Sequence, residues 1–128
     1  MRITKNDVKV AMQIPGAVLR LQTEFGSVQG FDKISAEYFS LSAGVDTTPL
    51  FQGLEGNLCQ CPHWGFILSG QITTTDVNGT RETVKTDDLF YWPPGHNLKV
   101  EEDTDFILFS PQHEHIAVID HMRKKLNE

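Results

Sequence analysis

From about Ile34 onward the chain alternates short apolar or β-branched runs with turn-forming residues. That rhythm predicts the short strands of a sandwich or closed barrel. Ser35–Leu41 reads as a strand ended by Ala43-Gly44-Val45-Asp46, and Phe66-Ile67-Leu68 as an apolar run stopped by Ser69-Gly70. Gln71–Val77 and Thr80–Thr86 flank Asn78-Gly79, a dipeptide that predicts a type I′ hairpin because both positions tolerate positive φ. Leu89-Phe90-Tyr91-Trp92 is closed by Pro93-Pro94-Gly95, which cannot continue a ladder. Leu98–Val100 resumes extended structure, Glu101–Asp105 reads as an acidic turn, and Phe106–Phe109 as the last strand.

The period changes after Pro111. Ile116, Val118, Ile119, Met122 and Leu126 approximate helical spacing, and Arg123, Lys124 and Lys125 suit the negative pole of a helix ending there. A helix over about 114–127 is expected. The first thirty residues are less legible: Pro15-Gly16 marks a turn, and Val18–Phe25 fits strand or helix. A chain of 128 residues suffices for one domain, 1–128, with its core in about 35–110.

Composition narrows the partners. Eleven Lys plus Arg against 17 Asp plus Glu give a formal charge of −6, and no basic stripe could neutralise phosphates, so nucleic acid is not expected. Met1–Gln13 lacks the continuous apolar stretch of a signal peptide, and no later run is long enough to span a bilayer. A cytoplasmic protein without membrane partners is the expectation. The only cysteines, Cys59 and Cys61, are too close in sequence to make a useful structural staple.

Four potential metal ligands stand around two turns: Cys59, Cys61 and His63 in Cys-Gln-Cys-Pro-His, and His96 after Pro94-Gly95. In a straight strand Cys59 and His63 would lie roughly 13 Å apart at ~3.3 Å per residue. One ion, with bonds of ~2.0–2.3 Å, requires the chain to bend near Cys61-Pro62. The alternative is that the cysteines are buried as small apolar residues around an empty site. Trp64, Phe66, Tyr91, Trp92 and Leu98 are candidate pocket-lining residues, competing with a plain core role. Glu55 and Asn57 are placed to hydrogen-bond to metal ligands or a substrate, or simply to sit in a loop. His113-Glu114-His115 follows the last strand and is assigned to solvent or helix capping; His121 has no obvious partner.

These two turns resemble the two motifs of cupins. In the first, Gly70 matches the motif glycine, which puts His63 where the family has Glu and Cys59 near the second His of its His-x-His pair. Asp87–His96 matches the second motif, Gly-Asp then Pro-x-Gly then His, except that Leu98 takes the usual ligand position and His96 stands two residues earlier. The resemblance covers about Leu58–Phe109. It implies an all-β double-stranded β-helix, the cupin jelly-roll barrel, with the short C-terminal helix appended. It also implies a homodimer, with an interface in the N-terminal third.

The family's three-His, one-Glu ligand set is absent, and thiolate with imidazole favours zinc, with iron, nickel or copper behind it, over magnesium or calcium. The reading is a metal-binding cupin holding a small polar molecule in its barrel, with an enzymatic role left open. The alternatives are a non-catalytic ligand-binding or structural-metal module and a redox responder using Cys59 and Cys61, the latter disfavoured by the absence of a nearby Lys or Arg to lower a thiol pKa.

Overall fold

The computed structural model describes residues 1–128. Seven antiparallel strands carry the architecture: β1 Val10–Ile14, β2 Ala17–Gln22, β3 Ile34–Leu41, β4 His63–Asp76, β5 Arg81–Lys85, β6 Leu89–Trp92 and β7 His96–Pro111. A single-turn helix, α1 (Thr48–Phe51), precedes β4, and α2 (Gln112–Leu126) ends the chain. The strands pair in the order β1-β2-β3-β7-β4-β5, with β6 on the free half-edge of β4. Of Val18–Phe25, Val18–Gln22 is strand and Thr23–Phe25 is not; β2 is joined to β1 through Pro15 and Gly16, whose φ of 84° is the positive value that position i+2 of a type II turn demands.

β4 and β7 each run straight through a segment that the sequence presents as a break. Ser69-Gly70 lies inside β4, and Glu101–Asp105, expected as an acidic turn, lies inside β7. The reason is that the two breaks face each other. The β4–β7 register shifts between Ile67 and Ile72, so both strands bend together where the sheet curls. Gly70 adopts φ 110° there, and a Cβ on it would stand 2.3 Å from Thr104 Oγ1. Buried Thr104 accepts a hydrogen bond from Gln71 N at 3.0 Å and donates to Glu102 O at 2.7 Å, while Glu101, Glu102 and Asp103 stay in solvent.

The β4–β5 hairpin forms, but not through a type I′ turn. Gly79 alone takes positive φ, and Gly79 N and Asn78 N both bond to Asp76, the latter through Oδ1. The loop is therefore Val77-Asn78-Gly79. Asp76 draws the turn one residue upstream by offering its carboxylate to the Asn78 and Thr80 amides, and Gly79 closes it as a bulge.

The interior is a continuous cluster that includes Leu19, Phe39, Ile67, Ile72, Trp92, Val100, Phe106 and Leu108. Each such burial contributes ~1.5–3 kcal/mol. β3 alternates cleanly, sending Ser35, Glu37, Phe39 and Leu41 inward. The buried stripe of α2 is His115, Val118, Ile119 and Met122, which keeps the centre of the expected stripe but begins at His115; Ile116 is half-buried and Leu126 exposed. The helix is fastened across the barrel by His121 Nε2, which donates to Gln52 O at 2.7 Å, and by Arg123, which donates to Ala11 O. His121 thus has a partner that sequence reasoning did not find. No helix is long and apolar enough to cross a membrane.

Candidate metal centre and its cavity

Backbone pairing brings the two turns together. Cys59 forms an isolated antiparallel bridge with His96: Cys59 N donates to His96 O at 2.9 Å, and Gly95 N donates to Cys59 O at 2.7 Å. Residues paired in this way project their side chains to the same side. Gly95 is required by the turn, since it holds φ 88° and a Cβ would meet Val77 Cγ1 at 2.6 Å. After Pro62 the chain enters β4, whose first residue, His63, lies beside Ser110 at the end of β7.

The potential ligand atoms of Cys59, His63 and His96 lie within 4.8 Å of one another, and all three residues are buried. Cys59 Sγ stands 3.7 Å from His63 Nε2. Atoms bound tetrahedrally to one ion at ~2.0–2.3 Å are ~3.3–3.7 Å apart, so small adjustments complete the fit. The outward ring atoms are already anchored. His96 Nδ1 lies 2.7 Å from Pro93 O, which can only accept, so Nδ1 carries the proton and Nε2 a lone pair. His63 Nδ1 lies 2.6 Å from Ser110 Oγ, and with that N–H donating its Nε2 is likewise free. Anchoring of the distal nitrogen is how metal-ligating imidazoles are oriented.

Electrostatics keeps this cluster neutral in the absence of a cation. Burial pushes the Cys59 thiol up to about 12, offset in part by the Cys61 backbone and reinforced by Glu37. His63 is held well below its usual value by burial first, then by His115 and His96. His96 is lowered by burial, partly offset by its contact with Pro93 O. A metal ion bound here would take Cys59 as the thiolate and would meet imidazoles already in the ligating form.

The triad borders a cavity of about 90 Å³ at the end of the barrel under α2. Of its 21 lining residues 16 are hydrophobic, and no Lys, Arg, Asp or Glu is among them. Behind the lining stands a buried polar group that sequence reasoning missed. Glu37 is fully enclosed; Ser35 Oγ donates to its Oε2 at 2.8 Å, and its Oε1 is 2.6 Å from His115 Nδ1, close but out of line for a hydrogen bond. The His115 ring packs on that of His63 at 4.4 Å between centroids. His115 is thus buried in the cavity wall rather than solvent-facing or capping, whereas His113 and Glu114 are exposed. The signals were present: Glu37 shares the period-2 face of Phe39 and Leu41, and His115 falls three and four residues before Val118 and Ile119.

Other candidates separate. Cys61 is buried but turned from the triad, its Sγ 3.4 Å from Pro62 O and 3.8 Å from Pro111 O. Its thiol is raised even further than that of Cys59, chiefly by burial. Leu98 lines the cavity. Trp64, Phe66 and Tyr91 do not: strand alternation places them on the outer face, where Trp64 and Tyr91 stack at 5.3 Å and are each 48% exposed. Glu55 and Asn57 are exposed loop residues; Glu55 O accepts from Gln60 Nε2 and Asn57 Oδ1 from Gly53 N, so neither supports a ligand.

No protein-family model and no curated protein matches the sequence. Solved structures do. The oxalate decarboxylase of Bacillus subtilis, studied for its Mn(II) centres, superposes with a TM-score of 0.59 at 19% identity over 85% of this chain and 28% of its own. This chain therefore spans under a third of that enzyme. The polyketide cyclase RemF of Streptomyces resistomycificus gives a TM-score of 0.56 at 20% identity over 87% and 78% of the two chains. An RmlC-like cupin from Shewanella frigidimarina gives 0.57 at 13% over 85% and 88%. At these identities the likeness is one of fold. The chain has the cupin fold, an antiparallel jelly roll with a short C-terminal helix.

Proposed function

We propose that this cupin binds one divalent transition metal ion through Cys59, His63 and His96 and holds a small molecule in the adjoining cavity, against the metal's remaining position. The observation that carries the reading is the convergence of three buried donors within 4.8 Å. A thiolate and two imidazoles favour zinc, then iron or nickel. The Mn(II) centres named for the structurally similar oxalate decarboxylase are a precedent for a metal in this fold, but a thiolate shifts the preference toward softer ions.

Cys61 facing away favours three protein ligands over a closed Cys₂His₂ site, and three ligands leave a coordination position for a water or a ligand. The ion would supply Lewis acidity at that position. The chain's own contribution is to orient both imidazoles through Ser110 and Pro93 O and to exclude bulk water with an apolar wall. A non-catalytic binding module is the second reading. It draws support from the lining, which brings no carboxylate to the cavity surface as a base.

Cobalt substitution tests the donor set. Cobalt-loaded protein is expected to show a thiolate-to-metal charge-transfer band that Cys59→Ser abolishes and Cys61→Ser leaves intact. Loss of the band in Cys61→Ser with retention in Cys59→Ser would overturn the assignment.

A further inference from the structure

We infer that the molecule held in this cavity is neutral and largely apolar, of about five non-hydrogen atoms, with a single polar head group on the side of Cys59, His63 and His96. The inference rests on the metal-site reading above and adds the class of ligand. It also replaces the small polar molecule expected from sequence.

Size comes first. The cavity measures about 90 Å³, smaller than the roughly 150 Å³ apolar cavity that takes up benzene. A ligand body somewhat smaller than benzene therefore fills it. Distribution of polarity comes second. His63, His96 and Cys59 occupy one side, while Leu19, Val45 and Val118 belong to an aliphatic lining that offers a ligand body nothing to hydrogen-bond.

Charge decides the class. No Lys or Arg lines the cavity, so a carboxylate buried there would find no cationic side chain of that kind to pair with, whereas a neutral molecule needs none. One donor remains for the head group: the indole N–H of Trp92, a cavity-lining residue, is buried without a hydrogen-bond partner. Such a group is costly unless a bound molecule or water accepts from it.

Propionamide and propionate, equal in size and different in charge, test the inference. Titrated into cobalt-loaded protein, propionamide is expected to perturb the cobalt spectrum with a Kd at least tenfold lower than propionate, although a carboxylate is intrinsically the better metal ligand. Oxalate is expected to be weaker still. Val118→Phe, or the milder Ala17→Val should that variant fail to fold, is expected to weaken propionamide more than tenfold with cobalt stoichiometry unchanged. Equal or tighter binding of propionate or oxalate to cobalt-loaded protein overturns the ligand class and leaves the metal site standing. Failure to take up cobalt sinks the metal reading separately. The ligand class is then read from Trp92 fluorescence in a metal-free Trp64→Phe background, where the same preference for the amide is required and its absence overturns the inference.

Discussion

The two walls of the cavity differ in almost every physical respect. One is built from a turn and two strand ends, Cys59, His63 and His96, and concentrates donor atoms whose outward nitrogens are pinned. The other is built from β1, β2, α1 and α2 and, apart from His115, presents aliphatic and aromatic carbon. The donor wall sacrifices stability, since it buries polar groups that are only partly satisfied; the apolar wall supplies stability and excludes water. The difference teaches that the pocket is polarised: it can fix one end of a molecule and merely enclose the other.

Breaking the polar support behind the donor wall should have the largest effect. Glu37→Ala leaves His115 Nδ1 facing a void and Ser35 Oγ with only its 3.4 Å contact to Ser110 O, and is expected to cost about 3–5 kcal/mol in denaturant unfolding. A cost under about 1 kcal/mol would show that the pair contributes little. On the apolar wall, Leu19→Ala is expected to cost about 2–3 kcal/mol, the lower part of the usual range because the side chain already borders a cavity. Metal stoichiometry should be untouched, and its loss would mean the walls are not independent.

Acidification sharpens the contrast, because the donor wall holds the two imidazoles whose pKa values burial lowers. His63 and His96 have folded pKa values below the ordinary 6.5, so below that pH the unfolded chain binds protons that the folded chain resists. Their contribution is fully present above about pH 6.5 and is lost as pH falls through the depressed values. Metal-free protein is therefore expected to lose Tm steadily from pH 7 to pH 5, and His63→Gln to flatten the slope; an unchanged slope would contradict the burial argument. The smallest effect is expected outside the barrel. Leu89 is 82% exposed on β6, and Leu89→Ser should change stability by no more than about 0.5 kcal/mol.

How far each wall could be read from sequence follows from what holds it. Pro93-Pro94-Gly95-His96 and the β4–β5 hairpin are set by local turn chemistry, which residue types reveal directly. The turn type itself escaped because Asp76, outside the Asn-Gly pair, captures the amides. Glu37 and His115 meet only through tertiary packing of β3 with α2, so no local pattern joins them. Trp64 and Tyr91 were misplaced for a simpler reason: they alternate with His63 and Trp92, and with those two inside, strand parity puts their neighbours outside. The bend near Cys61-Pro62 was legible from the distance convergence requires, but not that Cys61 would face away from Cys59 toward Pro62 O and Pro111 O.

The central claim is tested most directly by metal content. Elemental mass spectrometry on protein purified without a histidine tag is expected to find near one equivalent of a transition metal in wild type and in Cys61→Ala, and less than a tenth of that in His63→Ala, His96→Ala and Cys59→Ala. Metal retained in the three latter variants, or absent from folded wild-type protein supplied with zinc, would contradict the account.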